Sequence, residues 1–183
     1  NNGQGVVGVN WNVRLIPCKF LDAAVNGTVD RAVECLEYAR TLKTRTVNPV
    51  NIVATNNSYG GLGTASATLR EAIDAQRDIL FVAAAGNFGL DNDANEFYPA
   101  NFDLPNVVSV AASDHNDALP AFSSRGRRTV HLGAPGVAIT STIPYGNYTP
   151  ASGTSMAAPH VAGTAALLKA QDAGRDWRTL RNL

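Results

Sequence analysis

The most constraining feature of this chain is a pair of short apolar runs that do not alternate, DILFVAAAGN at Asp78–Asn87 and VVSVAAS at Val107–Ser113. A strand with one wet face alternates apolar and polar residues, whereas a strand covered on both faces does not. Elsewhere the pattern turns amphipathic. In Thr28–Lys43, Val29, Ala32, Val33, Leu36 and Ala39 return at helical spacing with charged residues between them. Ser66–Asp78 reads as a second helix, opened by a capping box of Thr68 and Glu71. Thr154–Asp172 reads as a third, of about five turns. Buried strands separated by amphipathic helices predict an α/β fold, a mostly parallel sheet with helices on both faces.

Further strands are expected at Val13–Leu21, where Pro17 suits an edge or a bulge, and at Val50–Gly61. Two shorter ones are expected around a Pro-Gly turn, at Thr129–Ala134 and Val137–Ile143, and the tail DWRTLRNL begins another helix. In parallel sheets, functional groups gather beyond the carboxyl ends of the strands. Two strands end in polar, glycine-bearing sequence, NNSYGG at Asn56–Gly61 and AAAGN at Ala83–Asn87. Both ends therefore belong on one rim of the molecule.

A length of 183 residues supports one hydrophobic core and is short for two. Fifteen basic and fifteen acidic residues cancel, so the charge balance gives no reason to expect nucleic acid or lipid headgroups as partners. The RGRR run at Arg125–Arg128 reads as a solvated turn. No apolar run approaches the roughly 20 residues of a membrane-spanning helix, and no membrane partner is expected. Cys18 and Cys35 are too few for a disulfide framework and match no zinc spacing, so they are expected to be free, partly buried thiols. The only methionine is Met156, and residue 1 reads as a cut made by processing or by cloning.

Ser155 opens the Thr154–Asp172 helix beside the small residues Gly153 and Ala157. There the free amide groups and the helix dipole favour a developing negative charge, as a nucleophile would require. The plainer reading is that Ser152, Thr154 or Ser155 caps the helix and the alanines serve close packing. A nucleophilic serine also needs a base. His160 lies five residues on, about 500° around the helix and so about 140° from the Ser155 direction, which keeps the two apart. It is expected to be a packed or hydrogen-bonded structural residue. His115 falls in a polar turn and His131 in a short strand, and neither makes a convincing base. Asn87, just beyond a buried strand, can donate to an oxyanion, with Gly86 leaving room for a substrate backbone. Its plainer role is turn chemistry after the strand.

In chain order, NNSYGG, AAAGN and GTSMAAPHVAG (Gly153–Gly163) resemble the motif blocks of the subtilisin-like serine proteases, the subtilase family. The segment Asn1–Asp22, YPA at Tyr98–Ala100, VVSVAASD at Val107–Asp114, FSSRG at Phe122–Gly126 and LGAPG at Leu132–Gly136 follow in the family order. The resemblance covers essentially the whole chain. It implies an incomplete subtilisin-like domain, with residues 1–183 a partial peptidase domain truncated at both ends. Ser155 then matches the nucleophile, while Asn87 and the Ser155 amide match the two halves of the oxyanion hole. Ser58, Tyr59 and Gly60 match a strand edge that pairs with an extended peptide and forms one wall of the S1 pocket. Ala84, Ala85 and Gly86 match the opposite wall, and Phe97 falls near its floor. The resemblance further implies a peptide or protein substrate, no required cofactor, and a secreted or extracytoplasmic location.

The departures are as informative. The family order is aspartate, histidine, serine, and no residue here matches the first two; His160 matches a position outside the triad, and Asp30, Asp91 and Asp93 lie outside the aspartate block. The intact protein is therefore expected to be a serine endopeptidase and this chain alone to be inactive. The chain is also expected to associate, through uncovered apolar surface, with an N-terminal fragment or with another copy of itself. A peptide-binding pseudoprotease and a structural or assembly fragment stay open as alternatives. His131 stands where many relatives have a metal-associated aspartate, so no metal ligand is assigned. Structural calcium in the intact protein stays open, and DNDAN at Asp91–Asn95 reads as a solvated loop.

Overall fold

The computed structural model describes residues 3–63 and 65–183. Asn1 and Asn2, which head the Asn1–Asp22 block, lie outside the described residues, as does Thr64. The chain runs through α1 (Val29–Thr44), β1 (Ala54–Asn57), β2 (Gly61–Leu62), α2 (Ala67–Ala75) and β3 (Leu80–Ala84). It continues through β4 (Phe97–Tyr98), β5 (Val107–Ser113), β6 (Leu132–Pro135), β7 (Ile139–Ile143) and β8 (Asn147–Ala151). The last two elements are α3 (Thr154–Gln171) and α4 (Trp177–Asn182).

The core is a parallel four-stranded sheet of order β1-β3-β5-β6. The non-alternating runs occupy its centre for the expected reason. Phe81 and Ala83 of β3 point into a cluster with Ala32, Leu36, Leu69 and Ile73 of α1 and α2. Leu80, Val82 and Ala84 point the other way, into a cluster with Ala157, Ala158 and Ala165 of α3 and Leu180 of α4. Each face of β3 meets its own helix layer, and every side chain of that strand is apolar and buried. The alanines and glycines that begin α3 let it lie close across β1, β3, β5 and β6.

The four-residue register Ala54–Asn57 against Leu80–Ala83 brings the polar ends of β1 and β3 to one rim, as their sequences imply. A small antiparallel pair, β2 with β4, reaches over that rim and sets Leu62 opposite Phe97.

Several expectations give way. Val13–Leu21 is not a strand: it pairs with no other strand among the described residues, and Leu15 is 87% exposed. An apolar run is not enough, because a strand needs a ladder partner and β1 ends the sheet. Cys18 and Cys35 are not free thiols but a disulfide, with Cα atoms 5.8 Å apart. The chain before α1 runs back past that helix, which sets residues 17 apart in sequence side by side. No spacing rule carries that information. The α2 cap is Ser66, whose hydroxyl accepts from the Leu69 amide, so Thr68 lies inside the helix. β8 was not expected, because Pro150 and the run of polar residues obscure it; it forms an exposed hairpin with β7. Among the described residues, no helix is long and apolar enough to cross a membrane.

Candidate active site

The sheet rim, the start of α3 and the turn after β3 meet at Ser155. The N-cap of α3 is Gly153, with no side-chain capping bond, so none of the three neighbouring hydroxyls caps the helix. Each has another role. Ser152 Oγ accepts from the Ala138 amide at 2.9 Å. Thr154, fully buried, donates both its amide and its hydroxyl to Asn87 Oδ1, at 2.8 and 3.0 Å. Ser155 Oγ makes only a long contact, 3.4 Å, to the Ser58 carbonyl. Ser58 Oγ returns a donation to the Ser155 carbonyl at 2.9 Å, which ties the end of β1 to the helix start.

The two bonds from Thr154 decide which way the Asn87 amide faces. An amide N–H can only donate, so the atom it meets must be Oδ1. Nδ2 is then turned outward, on the exposed side of the turn. The Ser155 amide is second in the helix, where the first turn leaves donors without intrahelical acceptors. Two N–H donors thus lie at the positive end of an 18-residue helix beside a weakly bound hydroxyl. A Cβ at Gly153 would stand 3.3 Å from Asn87 Nδ2, so glycine there keeps that corner open.

Ala84 ends β3 and Ala85 and Gly86 follow it, as Ser58, Tyr59 and Gly60 follow the paired strand β1. Between the two stretches lies the Phe97 ring: a Cβ on Gly60 would meet it at 2.5 Å, and a Cβ on Gly86 at 3.2 Å. Tyr59 is held by an edge contact with Phe20, with centroids 4.9 Å apart, and donates its hydroxyl to Asn57 Oδ1 at 3.1 Å. Burial pushes its phenol above the ordinary tyrosine range.

The histidines are elsewhere. His160 Nδ1 donates to the Met156 carbonyl at 2.8 Å, a bond within α3. His131 Nδ1 accepts from the Ser109 amide at 2.9 Å at the start of β6, and burial, with Arg181 nearby, holds its imidazole below the usual value. His115 is exposed and pairs with its neighbour Asn116. Among the described residues, no histidine or carboxylate hydrogen-bonds Ser155.

The side chains weighed for a cation have partners within the chain. The His131 ring nitrogen is occupied by the backbone, and Asp93 accepts from the amides of Arg128 and Thr129 and from the Thr129 hydroxyl. Asp93 thus anchors the exposed Arg125–Arg128 turn, and in the Asp91–Asn95 loop Asp91, Ala94 and Asn95 are exposed as expected while Asn92 is buried. Among the described residues, no group of three histidine, cysteine or acidic side chains could hold a metal ion.

The profile of the Subtilase family, peptidase S8, matches residues 1–183. The chain belongs to the subtilase family. This subtilase chain is 40% identical to Subtilisin DY of Bacillus licheniformis over 171 residues, which is 92% of this chain and 58% of that protein. It is 38% identical to Subtilisin-like protease 2 of Plasmodium falciparum over 173 residues, 91% of this chain and 12% of that one. A solved protease from Pseudoalteromonas arctica superposes with a TM-score of 0.85 at 29% identity, covering all of this chain and 58% of the other. The subtilase chain therefore spans little more than half of these bacterial relatives, and its fold is incomplete relative to theirs.

Sequence reasoning weighed Thr154 only as a helix cap and Asn92 only as part of a solvated loop, whereas both are buried and hydrogen-bonded to the turn after β3. A threonine beside a candidate serine offers no signal of its own, and an asparagine in a polar loop offers less.

Proposed function

We propose that the intact protein is a serine endopeptidase in which Ser155 is the nucleophile. Ser155 Oγ attacks a peptide carbonyl as its proton passes to a histidine base, the amide bond breaks with the amine taking that proton, and water then hydrolyses the acyl-enzyme. Asn87 Nδ2 and the Ser155 amide stabilise the oxyanion of both tetrahedral steps. The base and its orienting aspartate come from outside these residues, so this chain alone is inactive. The observation that carries the reading is the Asn87 amide, aimed by Thr154 at the helix end that bears Ser155.

The free edge at Ser58–Gly60 receives the extended peptide by backbone pairing, which makes recognition largely independent of side chains. Ala84–Gly86 forms the facing wall, and the Phe97 ring between them leaves room for only a small side chain. The chemistry calls on no cofactor. The exposed Trp11, Val13, Leu15 and Ile16 support cover by further chain or by a second copy. The Cys18–Cys35 bridge supports an extracytoplasmic, oxidising location.

A fluorophosphonate probe on the full-length protein tests the reading. Labelling lost in Ser155→Ala is the expected result. Peptide binding without labelling would instead identify a pseudoprotease, and neither binding nor labelling a structural fragment.

A further inference from the structure

The peptide group joining Ala85 to Gly86 lies directly behind Asn87, and both its polar ends are taken. Its N–H donates to Thr154 Oγ1 at 3.1 Å, and its carbonyl accepts from Asn92 Nδ2 at 2.8 Å. Thr154 Oγ1 passes the connection on by donating to Asn87 Oδ1. A hydrogen-bonded chain thus runs from Asn92, through one peptide plane and one hydroxyl, to the amide of Asn87.

Asn92 is only 1% exposed, and its backbone is held on both sides. Its amide donates to the Arg125 carbonyl at 2.6 Å, and its carbonyl accepts from Asn101 Nδ2 at 2.7 Å. Its own Oδ1 is buried without a hydrogen-bond partner among the described residues. An orphaned buried acceptor is destabilising, and Asn106 carries one too. What sets Asn92 apart is where its donor goes, to the Ala85 carbonyl behind Asn87.

We propose that Asn92 is a positioning residue for the oxyanion site, an inference that rests on the peptidase reading of Ser155 and Asn87. Gly86 has φ +107° and no Cβ to hold its flanking peptide planes in place. With the Asn92 donor gone, the Ala85 carbonyl loses its partner and the plane is held at its N–H end alone, so it can tilt. Its N–H then leaves Thr154 Oγ1, and the hydroxyl that orients Asn87 loses its own fixed direction.

The test compares Asn92→Ala with Asn106→Ala in the full-length protein. Asn106 is equally buried, and its Nδ2 donates to the carbonyls of Ile73 and Ile79 at 3.1 and 3.2 Å, at the amino end of the sheet away from Ser155. Both variants should melt at lower temperature. Only Asn92→Ala should lose kcat, by about tenfold with KM little changed, a fraction of the roughly 100- to 1,000-fold lost with an oxyanion donor. It should also weaken a peptide aldehyde, whose adduct is tetrahedral, in the same proportion. Should Asn92→Ala not fold, Asn92→Ser makes the same comparison with a smaller cavity. Wild-type kcat in a folded Asn92 variant, or an equal loss in Asn106→Ala, overturns the inference alone. Failure of a fluorophosphonate to label wild-type Ser155 overturns the peptidase reading and the inference with it.

Discussion

Thr154→Val isolates the orientation of the Asn87 amide. Thr154 is fully buried, and its hydroxyl accepts from the Gly86 amide at 3.1 Å while donating to Asn87 Oδ1 at 3.0 Å. Valine keeps the shape, so the change is polar rather than a cavity. The Gly86 N–H is left buried without an acceptor, which costs about 1–3 kcal/mol. For a domain of this size that lowers the melting temperature by about 2–4 °C per kcal/mol. Asn87 keeps the Thr154 amide on its Oδ1 at 2.8 Å, so it loses one of two fastenings rather than both. Its loss of barrier lowering should therefore fall below the roughly 3 kcal/mol of removing the donor outright. About 1–2 kcal/mol is expected, a fall of about 5- to 30-fold in kcat. KM should hold, because the Ser58–Gly60 edge is untouched. Steady-state kinetics of the full-length protein on a chromogenic peptide, beside a thermal melt, measure both effects. A lower melting temperature with wild-type kcat would refute the orienting role, and a rise in KM matching the loss of kcat/KM would place the defect in substrate binding.

Breaking the Cys18–Cys35 bridge by paired serine substitutions should cost about 3 kcal/mol on loop-closure entropy, its ends being 17 residues apart. The urea midpoint should fall, and an unmoved midpoint would refute this. Burial first, and then Arg181, lower the His131 pKa against the opposing pull of Asp103. The unfolded chain therefore takes up that proton first, so stability is full above about pH 6.5 and declines as pH falls below it. His131→Asn should flatten that decline in melts across pH, and an unaltered slope would count against it. The Phe97 ring against Gly60 and Gly86 predicts cleavage after alanine at least about tenfold better than after phenylalanine. Phe97→Ala should narrow that ratio, and a wild-type enzyme indifferent to the two would sink the idea.

The sheet was legible because burial on both faces leaves a mark in every residue of a strand. β5 runs over Val107–Ser113, as its apolar run indicates, and β3 falls inside Asp78–Asn87. Helical periodicity placed α1 and α3 to within a residue at each end. The same reasoning placed NNSYGG and AAAGN on one rim, because parallel strands in register end together. It failed at Val13–Leu21, where the local pattern is that of a strand but the ladder that makes one is not local. Helix geometry was sufficient to separate His160 from Ser155, since both lie on one rigid element.

Sequence by itself therefore determined the layered α/β architecture, the family, and the helix start that carries Ser155, each of which is written in contiguous residues. Only the tertiary structure decided that Cys18 meets Cys35, that Thr154 turns the Asn87 amide outward, and that Asn92 stands behind it. Periodicity and propensity describe how a segment meets an average environment. A disulfide or a directed hydrogen bond instead depends on the distance and angle between two particular groups, which exist only after the segments have packed.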